Sequence, residues 1–368
     1  MTVSINGSGA ITFNDASTQS TAATGFGFKN RIINGAMMID QRNAGVSVTP
    51  SATATFTYLT DRFAYNGNLV SKFTLGQNLN SVSLPTGFQK YLGAQVASAV
   101  TIGSTDYFYL AHRIEGLNVA DLGWGTAAAS TVTLSFKVYS SLTGTFGGSL
   151  RNSDLSRSYP FSFTVSSANT WTDVSVTVAG DTSGTWLKTN GTGIEVAWGL
   201  GIGSTYSGTA GTWASANYAS VTGAASVVGT SSATFYITGV QLEKGSTATS
   251  FDYRPYGAEL ALCQRYYEKS YNDGVAVASA TLVGRLGADG NSAGRWYPSV
   301  GFRVSKRSSP TMVAYSDATG ASGNITVNGS NTAYTFGSNI GMNGGLGTLV
   351  SSTSNAIYAC QWTAESEL

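Results

Sequence analysis

The chain has 368 residues, of which 45 are glycine, and only 11% are charged, well below the roughly 25% of an ordinary soluble domain. Its 20 basic and 19 acidic residues leave a net charge of +1, which provides no long-range field to attract nucleic acid or an anionic membrane surface. Apolar residues make up 42% of the chain, too many for disorder, and no apolar run approaches the roughly 18 residues needed to span a bilayer. We therefore predict a soluble, folded protein of more than one domain, with no nucleic-acid partner and no membrane insertion.

Residues 1–28 differ in composition from the rest of the chain. They are rich in Gly, Ser, Thr and Ala and carry few apolar anchors. Such a segment cannot bury a core of its own, so it needs a partner surface or copies of itself. The segment also lacks the basic flank and apolar stretch of a secretory signal, and we expect synthesis and assembly in a cytosol.

Alternation of apolar and polar residues dominates the middle of the chain, with clusters of Gly, Ser, Thr, Asn and Asp between the alternating runs. The runs lie at 132–138, 161–165, 174–178, 194–202 and 235–242, the last with a slip of phase at Gly239 that predicts a β-bulge. Short antiparallel strands with no helical period between them are typical of a β-sandwich or jelly roll. We predict a jelly-roll domain over residues 29–256 in a mainly β protein.

One stretch, from about Ala258 to Ser270, shows a helical pattern. Leu260, Cys263 and Tyr267 fall at i, i+3 and i+7, so they share one face of a helix. A helix of this length is marginal alone, and its apolar stripe must pack on something. We predict one short helix over residues 257–270.

Strand-like runs separated by Gly/Ser/Asn-rich turns return after the helix. They extend from Tyr297 to Val304, from Thr311 to Tyr315 and from Ala356 to Trp362. We predict a second, smaller β domain over residues 271–368.

Several motifs, in chain order, resemble elements of bacteriophage tail fibre proteins. Residues 9–22, GAITFNDASTQSTA, resemble the common ITF-x-DGT-x-Q-x-TA element, with Ala16 in place of the usual glycine. Residues 30–42, NRIINGAMMIDQR, resemble the opening strand of carbohydrate-binding-module-like jelly rolls of phage tails. Three later stretches resemble the end of the same module, namely TGVQLEKG at 238–245, FDYRP at 251–255 and CQRYY at 263–267. The pair SPT at 309–311 and WTAESEL at 362–368 resembles the ending of phage distal fibre domains.

The resemblance implies a virion tail fibre or receptor-binding protein, assembled in the host cytoplasm as an elongated homotrimer. The N-terminal segment would attach to the tail baseplate, and the expected attachment residues are Ile11, Phe13, Asp15 and Gln19. The distal domain would face the host, where a cell-surface glycan is the expected partner. In a homotrimer the helix becomes a three-helix neck, whose expected contact residues are Leu260, Cys263 and Tyr267. A capsid-surface fibre or decoration protein built from the same modules is the alternative.

Sugar binding needs flat apolar surfaces that stack on pyranose rings and short polar side chains that bind hydroxyl groups. The stretch from Gly201 to Ala233 offers both, because Tyr206, Trp213 and Tyr218 are separated by small residues. A loop this long in a compact β domain either binds something or is ordered by a neighbouring subunit. The alternative is that these rings fold inward as the loop's own small core.

Two further groups of residues are candidate glycan contacts. A turn carries Arg151, Asn152 and Arg157, and arginine forks suit acidic sugars, although such a cluster is also typical of solvated ion pairs. In the distal domain, Trp296 and Tyr297 follow a Gly/Asn turn at the end expected to face the host. The alternative there is a tryptophan buried between subunits.

No pattern distinguishes a catalytic site. Any two of the 19 acidic residues can be nominated as a glycosidase pair, for example Asp181 and Glu195. The sole histidine, His112, alternates in phase with Phe108 and Leu110, which predicts a buried core residue and not a triad base. The sequence motifs of common hydrolases, zinc enzymes and nucleotide sites are absent. We expect no enzymatic activity, with a polysaccharide depolymerase tailspike as the less favoured alternative.

We predict no cofactor and no metal site. Jelly rolls similar to this one often hold a structural Ca²⁺ near their first and last strands, which would make Asp40 or Glu243 a ligand, but no dense Asp/Asn/Gly loop of calcium spacing is present. The cysteines, Cys263 and Cys360, form no CxxC pair and are interpreted as buried apolar side chains.

Overall fold

The computed structural model describes residues 29–289, 296–337, 339–347 and 356–368, together with three short strands within residues 1–28. Those strands are β1 (Ser4–Ile5), β2 (Ile11–Thr12) and β3 (Thr18–Gln19), which pair antiparallel in that order. Ile11 and Gln19 lie opposite each other in this small sheet. The other two predicted attachment residues, Phe13 and Asp15, lie outside the described residues.

Two antiparallel sheets form a β-sandwich, which confirms the prediction of a mainly β protein with a sandwich of antiparallel strands. The strands of this region are β4 (Thr57–Thr60), β5 (Phe63–Gly67), β6 (Phe73–Gln77), β7 (Leu92–Val96), β8 (Tyr107–Glu115), β9 (Val132–Ser140), β10 (Gly144–Arg151), β11 (Ser158–Val165), β12 (Thr172–Val178), β13 (Thr192–Ile202), β14 (Ser207–Gly208), β15 (Ser220–Val221) and β16 (Thr234–Lys244). One sheet has the order β11–β10–β13–β8–β5–β4 and the other β12–β9–β16–β7–β6. Strands β14 and β15 form a short parallel pair of their own.

A single apolar core fills the space between the two sheets. Successive side chains of a strand point to opposite faces, so the alternating runs send every second residue into it. Phe136 of β9 and Trp198 of β13 meet there edge to face, with ring centroids 5.9 Å apart. The predicted bulge is present as a shift of register in β16, where Gly239 has a positive φ of 62° and a Cβ would lie 2.8 Å from the ring of Phe88.

His112 lies in this core, as the sequence predicts. Its ring packs against Phe63 with centroids 4.7 Å apart, and its Nε2 lies 3.1 Å from the carbonyl oxygen of Ile33. Burial lowers the pKa of His112 well below its ordinary value. The imidazole is therefore neutral at physiological pH and serves packing.

Residues 29–42 form no strand, in contrast to the opening strand that the resemblance predicts. The segment runs beside β16. The amide of Arg31 donates to the carbonyl of Leu242 at 2.8 Å, and the carbonyl of Gly35 accepts from the amide of Val240 at 2.9 Å. Asn34 has a φ of 61°, and its side chain binds both the amide and the carbonyl of Ile39. A left-handed residue that closes a loop in this way interrupts the extended backbone that a strand needs.

The helix α1 (Tyr256–Gln264) is shorter than predicted. After it the chain turns and enters strand β17 (Tyr267–Lys269). There Tyr267 pairs with Glu365, near the end of the sequence. This long-range strand pairing replaces the predicted last turn of the helix. With nine residues α1 is far too short to cross a bilayer, and no other helix in the described ranges is long and apolar enough to do so.

The C-terminal unit is a second β structure built around one long strand. Its strands are β18 (Leu286–Asp289), β19 (Ser299–Gly301), β20 (Thr311–Tyr315), β21 (Asn324–Val327), β22 (Ser330–Ala333), β23 (Ile340–Gly341), β24 (Gly344–Leu346) and β25 (Ile357–Glu365). Strand β25 pairs with β17, β18, β20 and β21, while β19, β24 and β23 form a separate small sheet. Of the predicted run from Tyr297 to Val304, only Ser299–Gly301 is strand.

The side chains predicted to form a neck between copies pack within their own chain. Cys263 is fully buried beside Ile33, and Leu260 is half-buried against the same cluster. The ring of Tyr267 lies 3.7 Å below the guanidinium group of Arg42. Cys263 and Tyr267 are thus already covered by their own subunit, so they cannot form a seam with helices of other copies.

Three of the motifs that carry the resemblance, at 30–42, 263–267 and 362–368, meet where the sandwich contacts the C-terminal unit. Glu367 of the last motif binds Arg42 of the opening motif at 3.1 Å and also forms an ion pair with Arg62. Arg62 is 1% exposed, and its guanidinium group lies 3.6 Å from the ring of Tyr266 in the CQRYY motif. We call Arg42, Arg62, Tyr266 and Glu367 the junction, since they connect the two β units.

Candidate functional site

A cleft of about 210 Å³ lies on the face of the six-stranded sheet that points away from the sandwich core. The strands contribute Asn66, Tyr107, Tyr109, Arg113, Arg151 and Glu195, and the flanking loops contribute Phe56, Leu155, Tyr206, Asn217 and Ala219. The strand residues occupy the alternate positions of β5, β8, β10 and β13, whose other residues fill the core. The same alternation that builds the sandwich therefore presents these polar and aromatic groups on its outer surface.

Small residues on this face let the long loop after β13 lie directly on the sheet. A Cβ on Gly147 would lie 2.3 Å from Oγ of Ser220, and one on Gly199 would lie 2.9 Å from the same atom. Larger side chains at either position would push the loop outward. The close contact places Tyr206 and Asn217 of this loop at the wall of the cleft.

Glu195 lies between two arginines on neighbouring strands. It stands opposite Arg151 on one side and Arg113 on the other, and their Nε atoms donate to its two carboxylate oxygens at 3.1 and 2.8 Å. Burial would raise the pKa of Glu195, but the two guanidinium groups outweigh it and lower that pKa below its ordinary value. The carboxylate is therefore ionised, with both oxygens occupied, and is not free to act as an acid or base.

Aromatic rings form the apolar part of the cleft. Phe56 lies 3.7 Å below the guanidinium group of Arg113, and Tyr206 meets Tyr107 edge to face with centroids 5.6 Å apart. Burial raises the pKa values of Tyr107 and Tyr109 above the ordinary range of a phenol. Both hydroxyl groups are thus protonated at neutral pH and can donate hydrogen bonds.

The cleft atoms without a partner among the described residues include Oδ1 of Asn66 and Nη2 of Arg113. Asn66 is 6% exposed, and its Oδ1 atom accepts no hydrogen bond, while its Nδ2 atom donates to the hydroxyl of Tyr109 at 3.4 Å. Arg113 donates from Nε to Glu195 and from Nη1 to a main-chain oxygen of Leu368, the last residue of the sequence, and its Nη2 atom is available. A buried acceptor without a donor costs free energy, and a ligand hydroxyl would remove that cost.

Of the eight predicted glycan contacts, the structure brings Arg151 and Tyr206 into the cleft. Trp213 packs instead against Trp124 and Trp186, and its ring centroid lies 5.4 Å from that of each. Its indole nitrogen donates to a backbone carbonyl. The ring of Tyr218 lies against the backbone at Gly208. Both rings thus fold inward, but Trp213 packs on tryptophans outside the loop, whereas Tyr218 packs within it.

The other four predicted contacts lie elsewhere. Asn152 is fully buried and donates to the carbonyl of Thr185 at 3.1 Å, so it holds the turn together. Arg157 forms a bidentate ion pair with Asp181, in which Nε and Nη2 donate to the two carboxylate oxygens at 2.7 and 2.8 Å. Trp296 is buried in the C-terminal unit, where its ring stacks on Tyr358 with centroids 5.6 Å apart. Tyr297 is exposed on the surface of the same unit.

Tyr107, Tyr109 and Arg113 were not among the residues that sequence reasoning selected. The signal for them was present, because they alternate with Phe108 and Leu110, which the sequence assigns to the core. In a strand with one buried face, the intervening positions must lie on the opposite face.

The two carboxylates considered as calcium ligands both close turns. Asp40 accepts from the amides of Asn43 and Gly45 at 2.9 and 2.8 Å. Glu243 accepts from the amide and the hydroxyl of Thr249, each at 2.8 Å. Within the described residues, no group of three or more His, Cys, Asp or Glu side chains could hold a metal ion.

No family model matches the chain, and no curated protein matches it either. The solved structures with a similar fold include a family 4 carbohydrate-binding module, which is 14% identical, with 58% of this chain and 99% of that chain covered and a TM-score of 0.29. They also include the family 11 carbohydrate-binding module of Clostridium thermocellum with a mixed-linked tetrasaccharide, at 10% identity, 54% and 100% coverage and a TM-score of 0.27. The enzymatically active domain of tailspike protein 4 of bacteriophage CBA120 is 10% identical, with 59% of this chain but only 22% of that chain covered and a TM-score of 0.30. Similarities this low do not bear on function.

Proposed function

We propose that this chain is a bacteriophage tail fibre subunit that binds a host-surface glycan in the cleft of the six-stranded sheet. The observation that carries glycan binding is the lining of the cleft, where aromatic rings alternate with hydrogen-bonding side chains around the unpaired Oδ1 atom of Asn66. This combination suits sugars, whose rings have apolar faces and whose edges carry hydroxyl groups. The ordered sequence motifs support the assignment to a tail fibre.

We further propose that the protein is a homotrimer, attached to the tail baseplate through residues 1–28 and located in the tail of the virion. The motif in residues 9–22 supports this attachment, and the predicted need of that segment for a partner surface is consistent with it. Since Cys263 and Tyr267 are covered by their own chain, contacts between copies would use other residues than these two.

Binding without catalysis fits the chemistry of the cleft. Glu195 is the one carboxylate among the described residues that line it, and two arginines occupy both of its oxygens. A glycosidase of the common type needs two carboxylic groups, one of which donates a proton. We propose that the protein holds its glycan and does not cleave it.

Replacement of the aromatic wall tests the binding site. We expect Tyr107→Ala and Tyr206→Ala each to weaken glycan binding about tenfold, since each removes a ring from the cleft and a tenfold change corresponds to about 1.4 kcal/mol. The matched control is Tyr218→Ala, because Tyr218 lies in the same loop, is half-buried and does not line the cleft. The full chain is first screened on a glycan array, and affinities for the ligand found are then measured by titration calorimetry. Equal affinities for all three variants, or no bound glycan at all, would contradict the proposal.

Labelling of residues 1–28 on intact virions tests the attachment. We expect the label at the baseplate in electron micrographs, and light scattering of the purified protein should give the mass of three chains. A label on the head would instead support a capsid-surface fibre. Release of reducing ends from a host polysaccharide by the purified protein would show a depolymerase.

A further inference from the structure

We propose that the protein has a second glycan-binding site, a groove of about 590 Å³ on the outer face of the five-stranded sheet, and that its ligand is a neutral sugar. The groove and the cleft lie on opposite outer faces of the sandwich, with the apolar core between them. This inference goes beyond the proposed function, because it concerns a surface that the cleft does not include.

The floor of the groove is a ladder of polar side chains on strands β9 and β12. Phe136 of β9 points into the core, so Ser135 and Lys137 on either side of it lie on the outer face. The register of the pairing places Ser175 of β12 opposite Ser135. Two positions further along, Asp173 stands opposite Lys137 and accepts a hydrogen bond from its ammonium group. The floor therefore offers hydroxyl, ammonium and carboxylate groups side by side.

Three aromatic rings form one wall of the groove. Phe88 packs edge to face against Phe251 with ring centroids 5.2 Å apart, and Phe251 packs in the same way against Tyr253 at 4.8 Å. The bulge in β16 makes room for this wall, because a Cβ on Gly239 would lie 2.8 Å from the ring of Phe88. The wall and the polar floor thus meet along the bulged strand.

Tyr253 presents an exposed ring whose position is already fixed. Its side chain is 57% exposed, yet its hydroxyl group donates to the carbonyl of Gly87 at 2.9 Å and its ring packs on Phe88 and Phe251. A ring that is held in this way loses little side-chain entropy when a ligand stacks on it. The apolar face of a pyranose is a ligand surface that suits such a ring.

The charges and hydrogen-bonding groups of the groove favour a neutral sugar. Its charged lining residues are Lys137 and Asp173, which compensate each other, so a phosphate or carboxylate ligand meets no free positive charge. The hydroxyl groups of Ser135 and Ser175 can both donate and accept, as can each hydroxyl group of a sugar. An extended peptide would instead pair with a free strand edge, whereas this groove lies across the face of two strands that pair with each other.

The test combines a glycan array with variants of the groove in the full chain. Every neutral glycan that binds on the array is titrated by calorimetry with each protein. We expect Tyr253→Ala and Ser175→Val each to weaken the binding of at least one neutral glycan about tenfold. The first change removes the exposed ring, and the second removes a hydroxyl group of the floor and adds bulk there. The affinity of the groove should be the same at low and at high salt, since no net charge is paired on binding.

Matched variants separate the groove from other surfaces. Tyr297→Ala removes a ring that is 53% exposed in the C-terminal unit, and it should change no affinity. Tyr107→Ala alters the cleft and should leave the affinity of the groove unchanged. Tyr253→Phe keeps the ring and should keep most of the binding. Circular dichroism verifies folding, and Ser175→Val places a β-branched residue at an exposed strand position, which suits a strand.

The outcomes distinguish the groove from the cleft. Unchanged affinities in Tyr253→Ala or in Ser175→Val, or the loss of every bound glycan in Tyr107→Ala, would overturn the groove and leave the cleft intact. A groove that binds acidic glycans only, with an affinity that falls at high salt, would overturn the neutral class. Failure of every glycan on the array to bind would overturn both sites, and with them the proposed function.

Discussion

Glu367→Ala should lower the free energy of unfolding by about 3–5 kcal/mol, the usual cost of removing one partner from a buried ion pair. Glu367 is the carboxylate that Arg62 binds in the junction, and the side chains of Arg62 and Glu367 are only 1% and 5% exposed. Without Glu367, the partners that remain for Arg62 among the described residues are a backbone carbonyl and the face of Tyr266. The measurement is urea unfolding of the full chain, followed by tryptophan fluorescence and circular dichroism.

Glu365→Ala is the matched control, since it removes a carboxylate two residues away that also binds Arg42 at 3.1 Å. Its side chain is 46% exposed, and exposed ion pairs contribute at most about 1 kcal/mol. The double variant Arg62→Met with Glu367→Leu should recover most of the stability lost in Glu367→Ala, because it removes both charges and fills their space. Equal small losses for Glu365→Ala and Glu367→Ala would show that water reaches the junction and that the pair does not connect the two units.

The sandwich could be predicted because its strands carry their own signal. In a strand with one buried face, every second residue must be apolar, and the run from Val132 to Val138 shows this within seven residues of sequence. The bulge at Gly239 was visible for the same reason, since one extra residue shifts the phase of the alternation. Such local patterns need no knowledge of which strands pair.

The helix end and the opening segment could not be predicted, because distant partners decide them. Tyr267 fits a helical stripe with Leu260 and Cys263, yet it pairs with Glu365, almost a hundred residues later. Strand pairing over such a distance leaves no trace in the local periodicity. The opening segment is likewise shaped by side-chain bonds of Asn34 that close a loop, and these override its strand-like pattern.

The composition of the cleft is set by the register between paired strands as well as by the alternation within each strand. The sequence assigns Arg151 to a charged turn, whereas the structure places it at the end of β10, and its partner Glu195 lies opposite it only in the folded sheet. Asn66 is placed beside Tyr109 by the pairing of β5 with β8. The position of a residue on the outer face can thus be inferred from sequence, but its neighbours on that face cannot.

Residues of the opening motif bind the C-terminal unit and not the cleft. Gln41 binds the backbone carbonyl of Tyr267 at 2.9 Å, and Arg42 binds Glu367. These residues hold the two β units together and lie outside the cleft. Sequences that share such motifs can therefore share the connection between units and still carry different residues in the cleft, where the ligand is selected.

Trp296→Ala should lower the stability of the C-terminal unit by about 3–5 kcal/mol, the usual cost of truncating a buried aromatic side chain. Trp296 is 4% exposed, and its ring stacks on Tyr358 at an angle of 12° in the core of that unit. The neighbouring Tyr297 is 53% exposed, so Tyr297→Ala should change stability by no more than about 0.5 kcal/mol and serves as the matched control.

Both variants should bind glycan in the cleft as tightly as the unmodified chain, because neither residue lines it. Thermal unfolding followed by near-ultraviolet circular dichroism measures the stability, and titration calorimetry measures the binding. A Trp296→Ala protein that keeps its stability but fails to adsorb to host cells would contradict the structural role of this ring. That result would return Trp296 to the set of receptor contacts and move the host-binding surface from the sandwich to the C-terminal unit.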